Sequence, residues 1–232
     1  MQFMEQQCTM DMSKAFDMVE WGELFCTLLD KKVNCFFLRL MLYIYRNKRC
    51  DVKWCGEHSH RFPVSNGVRQ GAVSSAILFA IYIDELLLIL KNSRLGCHID
   101  SVFLGAFIFA DDILLLSARR SGLQSLVNMC QVFAARKNLR FGTNPNPAKS
   151  KTKCIVFSSK AKDHKNLAPV TLDGKILPWV KKVTHLGCVL ESDNSMKCDI
   201  ALKRGKFICD VNSLLQELHF ASPDVLMKLL NV

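Results

Sequence analysis

This chain of 232 residues is most readily bounded by what it does not contain. Its first residues, Met1 to Gln7, have no positive n-region and no apolar h-region, so no secretory signal is expected. No apolar run reaches the ~20 residues that a bilayer span requires. The best candidate, Ala76 to Leu90, is shorter and carries Asp84 and Glu85. Each acid would cost roughly 2.5–3.5 kcal/mol at a bilayer centre, so no membrane partner is expected. Internal repeats and low-complexity tracts are absent, which excludes solenoids and disordered linkers. The 11 cysteines show no regular framework and fall mostly in apolar periodic segments, as Cys8, Cys26, Cys35, Cys97, Cys130 and Cys154 do. They read as buried free thiols of a reducing compartment, nuclear or cytoplasmic. The densest group of ligand types, Cys50, Cys55, His58 and His60, lies in a strand-like stretch with its cysteines five apart, which argues against zinc.

Acidic residues are also scarce, with 21 Asp plus Glu against 31 Lys plus Arg and a formal charge of +10. Such a balance suits a polyanionic partner, most commonly nucleic acid. The lysines thicken in the final third, from Lys149, Lys151 and Lys153 through Lys160, Lys162 and Lys165 to Lys203 and Lys206. What the chain has in quantity is apolar residues, at 50%, enough for the core of one large or two small domains.

Hydrophobic periodicity gives the order of elements. Cys8 to Phe16 reads as a strand, and Glu23 to Leu29 and Phe36 to Tyr45 as helices, the second with Phe37, Leu40, Met41 and Ile44 on one apolar stripe. Cys50 to Val64, punctuated by Gly56 and Pro63, suits a hairpin. Ser65-Asn66-Gly67 is a turn before Val68-Arg69-Gln70-Gly71, and Ser74 to Lys91 is apolar nearly all round, as a buried central helix would be. Ser121 to Gln124 fits a capping box for a helix with Leu123, Leu126, Val127, Cys130 and Phe133 inward. Asn144-Pro145-Asn146-Pro147 is a break, Cys154 to Phe157 a short strand, and Thr171 to Leu190 offers further strands around Asp173-Gly174. Beyond Asp193 only helices are expected, one with Val211, Leu214, Leu215 and Leu218 in a stripe and one starting at Ser222-Pro223.

Within this pattern Asp111 and Asp112 interrupt an apolar run from Val102 to Ser117. Buried carboxylates in such a run would be costly unless a turn or a cation relieved them. Strand alternation predicts that Phe103, Phe107, Phe109 and Asp111 share a face. Asp11 is the candidate for a third carboxylate. Carboxylates brought together stay ionised only with cations between them, and hard, oxygen-seeking Mg²⁺ suits them. Two such ions ~3.5–4 Å apart are the device of polymerases and nucleases.

Five segments then resemble, in order, the motifs of a reverse transcriptase of the non-LTR (LINE-like) retrotransposon kind. They are Asp11-x-x-Lys14-Ala15-Phe16-Asp17; Gly67 to Gly71 with Ser74 and Leu78-Phe79; Phe109-Ala110-Asp111-Asp112; Asn146 to Lys151; and His185-Leu186-Gly187. The resemblance implies an α+β fold: a polymerase palm, with a ferredoxin/RRM-like antiparallel sheet and helices on one face, over residues 1–190. A helical thumb would start in residues 191–232. It implies RNA-directed DNA polymerisation, in which Asp11, Asp111, Asp112 and the backbone carbonyl of Met12 hold two Mg²⁺ ions, Mn²⁺ being an alternative. Phe16 would pack against the deoxyribose, Gln70 and Gly71 against incoming dNTP and template, and Lys149 near the triphosphate. An RNA template and a DNA primer are the implied partners, with His185 to Gly187 gripping the primer. Lys14 and Asp17 are read as a structural ion pair.

The chain also departs from the family. Ser74-Ser75 stands where Ser-Pro is usual and Val73 where Leu is. Loss of that proline removes about 0.5–1 kcal/mol of preorganisation without touching chemistry. Ten residues precede Asp11, so a fingers subdomain is expected to be largely missing, and the last helix is expected to be cut short. Two functions follow: a reverse transcriptase palm, or a catalytically incompetent remnant that only binds nucleic acid.

Overall fold

Gln6 to Met10 are buried at five successive positions, which a strand achieves only in the middle of a sheet. In the computed structural model, which describes residues 5–144, 146, 149–158, 167–218 and 225, this segment is β1 (Glu5–Asp11). It pairs antiparallel on one edge with β9 (Asp112–Ser117) and on the other with β10 (Lys153–Phe157), and β8 (Ala106–Phe109) completes the order β10-β1-β9-β8. Register aligns Cys8 with both Cys154 and Leu115, and Met10 with Ile113, so these apolar side chains share one face.

That face is covered by α3 (Val73–Asn92) and α4 (Arg120–Arg136). On α4, Leu123, Leu126, Val127, Cys130, Phe133 and Ala134 are buried, as the helical stripe predicted. The capping box is not formed: Gln124 instead accepts from the backbone N–H of Thr171 at 2.8 Å and donates to the Thr171 carbonyl at 2.8 Å. A tertiary partner wins Gln124 from the helix start. Helix α3 is long and apolar enough to cross a membrane by length and composition. It buries Leu78, Phe79, Tyr82, Ile83, Leu86 and Leu90 in the core, while Val73, Ile77 and Leu88 on the opposite side are exposed, so among the described residues the central helix is covered on one side only.

Helix α1 (Trp21–Asp30) packs on α3 through Leu24 and Leu28, and α2 (Cys35–Arg46) packs on α1. The buried positions of α2 are Leu38 and Met41, whereas Phe37, Leu40 and Ile44 of the predicted stripe face solvent. Arg39 and Arg46 mark one exposed side, but the buried line is rotated from the predicted stripe toward Leu38, a shift that period alone does not set. Its start is fixed by Asn34, whose side chain accepts from the Phe36 N–H at 2.8 Å.

The predicted hairpin at residues 50–64 is two nested ladders, β2 (Arg49–Cys50) with β5 (Phe62–Pro63) and β3 (Lys53–Trp54) with β4 (Glu57–His58). A short pair, β6 (His98–Ile99) with β7 (Val102–Phe103), precedes β8. After β10 come the hairpins β11 (Val170–Leu172) with β12 (Lys175–Leu177), and β13 (Lys182–His185) with β14 (Cys188–Glu191). Helix α5 (Lys197–Glu217) follows. Pro145, Pro147, Lys160, Lys162, Lys165 and the helix expected from Ser222 and Pro223 lie outside the described residues. Of the cysteines, only Cys8, Cys130 and Cys154 are buried; Cys26, Cys35, Cys188 and Cys209 are exposed on the outer sides of their elements, and Cys55 in the turn between β3 and β4.

Candidate active site

Asp11 ends β1 and Asp112 begins β9, and the two are direct cross-strand partners. On the far side Phe109 pairs with Asp112, so the hairpin closes through only Ala110 and Asp111. Ala110 takes the left-handed conformation, φ 51°, that so tight a turn demands. The turn resets alternation: Asp112, not Asp111, lies on the face of Phe107 and Phe109, and Asp11 joins them there. Phe107 and Phe109 are exposed on this face, opposite the helix-covered side. Asp111 lies at the tip, half-buried, and its carbonyl accepts the Met12 N–H at 3.1 Å, which holds the Met12 backbone against the turn.

The three carboxylates thus meet at one corner of the sheet. Burial raises the Asp112 carboxyl above its ordinary range, His185 works against that rise, and the neighbouring Asp111 and Asp11 add to it. The Lys151 ammonium lies 3.0 Å from Asp11 Oδ2 and is itself held above its usual value by that carboxylate. This buried oxygen has the Lys151 ammonium as its counter-ion. Mutually repelling carboxylates that draw in a lysine ammonium fit a hard divalent cation. Among the described residues no three His, Cys, Asp or Glu side chains already converge as a metal cage.

Two loops are pinned beside this corner. Gly67 N–H donates to Val19 O at 2.9 Å, Val68 N–H donates to Phe16 O at 2.8 Å, and the Trp21 indole N–H donates to Gly67 O at 2.9 Å. A Cβ on Gly67 would sit 3.0 Å from both Cα and O of Asp17, so glycine is required here by close backbone packing. Gly71 itself has open space, and its φ of 81° is what calls for glycine. Phe16 stacks on Phe79 with centroids 4.8 Å apart, half-buried between core and surface. Exposed Gln70 lines a cleft of about 570 Å³ with Asp17, Lys48, Arg49 and Arg69. No ion pair joins Lys14 to Asp17 among the described residues; a backbone turn does, Asp17 N–H to Lys14 O at 3.0 Å.

Lys149 is exposed, two residues from the lysine that pairs with Asp11. Sequence reasoning had no means of ranking Lys149 above Lys151, since both lie in one turn-rich motif. It also passed over Lys48 and Arg49, which only the folding back of β2 brings opposite Arg69. The Ser65-Asn66-Gly67 turn was visible as a signal, but its contact with Asp17 was not.

The family described as "Reverse transcriptase (RNA-dependent DNA polymerase)" matches residues 6–190. The chain is 30% identical over 153 residues to the retrovirus-related Pol polyprotein from type-1 retrotransposable element R2 of Nasonia vitripennis, covering 66% of this chain and 14% of that one. It is 26% identical over 198 residues to the corresponding R2 polyprotein of Popillia japonica, covering 82% and 31%. The chain therefore spans less than a third of the length of these relatives. Among solved structures it is similar to apo telomerase from Candida tropicalis, truncated from the C-terminal domain, with TM-score 0.55, 13% identity and coverage of 84% and 35%. Telomerase from Candida albicans in complex with the TWJ fragment of telomeric RNA gives TM-score 0.52, 11% identity and coverage of 83% and 31%. At such identities the likeness establishes the fold, an α+β polymerase palm.

Proposed function

The chain belongs to the reverse transcriptase family, of the non-LTR retrotransposon kind, and on that premise we propose that its carboxylate corner transfers nucleotides from dNTPs to a primer 3′-hydroxyl on an RNA template. The observation that carries the reading is the cross-strand pairing of Asp11 with Asp112 on the open face of the sheet, with Asp111 in the turn between Phe109 and Asp112. Asp11, Asp111, Asp112 and the Met12 carbonyl would hold two Mg²⁺ ions. When bound, these supply charge stabilisation for the attacking and leaving oxygens.

The chain's own groups do the rest. Phe16, backed by Phe79 and anchored through its carbonyl to Val68, offers a fixed surface for the sugar. Gln70, next to Gly71 in the chain, lines a cleft whose cations Lys48, Arg49 and Arg69 suit phosphates. Lys151 stands beside the carboxylates, and Lys149, exposed two residues before it, would offset triphosphate charge. Residues 1–190 act as the palm and residues 191–232 open a helical thumb, with α5 as its first helix. RNA template, DNA primer and dNTPs are the partners, within a nuclear or cytoplasmic reducing compartment.

Extension of a labelled primer on an RNA template with dNTPs and Mg²⁺ tests this. Incorporation is expected, alone or with an added fingers segment, and Asp112→Asn should reduce it by ~10³-fold, the scale of losing a main electrostatic contributor. RNA binding with no incorporation under either condition would favour the binding-only remnant. Incorporation unchanged in Asp112→Asn would overturn the carboxylate assignment.

A further inference from the structure

Lys151 reaches Asp11 by a route that depends on a missing side chain. The loop strand at Gly142 runs beside β1, Gly142 N–H donating to Asp11 O at 2.8 Å and Gly142 O accepting from Thr152 N–H at 3.1 Å. A Cβ on Gly142 would lie 3.2 Å from both Cβ and Cδ of Lys151, so the aliphatic stem passes over the glycine. The ammonium ends 3.0 Å from Asp11 Oδ2, with Lys151 66% exposed and Asp11 20%. The lysine therefore covers from outside a buried oxygen of the Asp11 carboxylate. Three carboxylates at one corner need positive charge, and the chain brings some of its own.

We propose that Lys151 is a built-in counter-ion of this corner, which a divalent cation must displace from Asp11 Oδ2 before it can bind. An ammonium and a divalent ion cannot share that oxygen, because each brings positive charge to the same lone pairs. Metal loading then frees the Lys151 side chain, whose exposure lets it swing out into solvent. The inference rests on the metal-binding reading of Asp11 and Asp112.

The test is titration of the purified, folded chain with Mn²⁺, following free Mn²⁺ by electron paramagnetic resonance. Removing the competitor in Lys151→Gln should tighten the first Mn²⁺ by about three- to fivefold, the upper range for a largely exposed ion pair. The gain should shrink as salt is raised. Gly142→Ala, which crowds the lysine stem and keeps its charge, should move affinity in the same direction by less. In wild-type protein the Lys151 Nζ resonance should shift as Mg²⁺ is added. Affinity in Lys151→Gln equal to or weaker than wild type, with Mn²⁺ binding still lost in Asp112→Asn, would overturn the counter-ion proposal and leave the metal site standing. Equal Mn²⁺ binding in wild type and Asp112→Asn would overturn both.

Discussion

The four-stranded sheet and helix α5 are built on opposite plans. Around β1 the chain is held by strands on both edges and by α3 and α4 on one face, with Cys8, Phe79, Ile113 and Leu115 wholly buried. Helix α5 is twenty-one residues long, yet its buried residue is Asp199. That carboxylate accepts the Val189 N–H at 2.9 Å and pairs with Lys203 at 2.9 Å, while Ile200, Leu202, Phe207 and Ile208 face solvent. Where a carboxylate must stand within ångströms of its neighbours, the fold uses buried area and ladder bonds. Where a helix has only to be tethered, polar anchors at its first turn serve. The sheet corner should therefore be rigid and α5 locally separable.

The sharpest contrast compares one phenylalanine from each region. Phe79→Ala should cost about 3–5 kcal/mol, since it removes a fully buried ring and the stack beneath Phe16. Phe207→Ala, on an α5 side chain that is 65% exposed, should change stability by about 0.5 kcal/mol or less. Urea unfolding of the two variants measures both. Equal losses would mean that α5 is packed as the sheet is.

Glycine substitutions extend the comparison to the loops beside the corner. Gly67→Ala meets both a positive φ of 84° and the Asp17 backbone at 3.0 Å, and should cost about 2–3 kcal/mol. Gly71→Ala meets only its φ of 81°, with open space around it, and should cost about 1 kcal/mol. Thermal denaturation ranks them, and the reverse order would relocate the tight contact to Gly71.

These residues also mark how far the sequence was legible. The five motifs and the run from Val102 to Ser117 located β1, the hairpin and the carboxylates, because strand length, turn residues and charge in an apolar run are local signals. The side on which Asp112 projects was not local information, since a two-residue turn at Ala110 and Asp111 resets the alternation. Nor could period fix how the inner line of α2 turns toward Leu38, or choose Lys151 over Lys149. Those outcomes depend on segments that meet only after folding: α1 under α2, and the Gly142 backbone alongside Asp11.

The tether of α5 has its own signature in pH. The Lys203 ammonium and the Val189 N–H hold the Asp199 carboxyl below its ordinary value of 3.8. A depressed acid contributes its stabilisation in full above the unfolded value and loses it as pH falls through the folded one. Protection of α5 amides, taken relative to their intrinsic exchange rates at each pH, should therefore hold down to about pH 4 and fall below it. Exchange in β1 should not follow the same step. Asp199→Ala should give fast α5 exchange already at neutral pH, and a uniform response across sheet and helix would break the distinction between the two regions.

The smallest expected effect probes the corner's own strain. Ala110 holds φ 51° without glycine's freedom, at a cost of about 1–2 kcal/mol for an L-residue. Ala110→Gly removes that cost but gives back about 0.5–1 kcal/mol through the freer unfolded chain, so the net gain should be about 0.5 kcal/mol. Ala110→Val, whose branched Cβ fits the left-handed region poorly, should lose stability instead. The pair separates two accounts of the turn. If the ladder from Phe109 to Asp112 imposes the conformation, the two variants should move the thermal midpoint in opposite directions and leave Mn²⁺ affinity nearly unchanged. If the turn were free to relax, neither midpoint would move, and the register that puts Asp112 beside Asp11 would be less firmly fixed than the sheet around it.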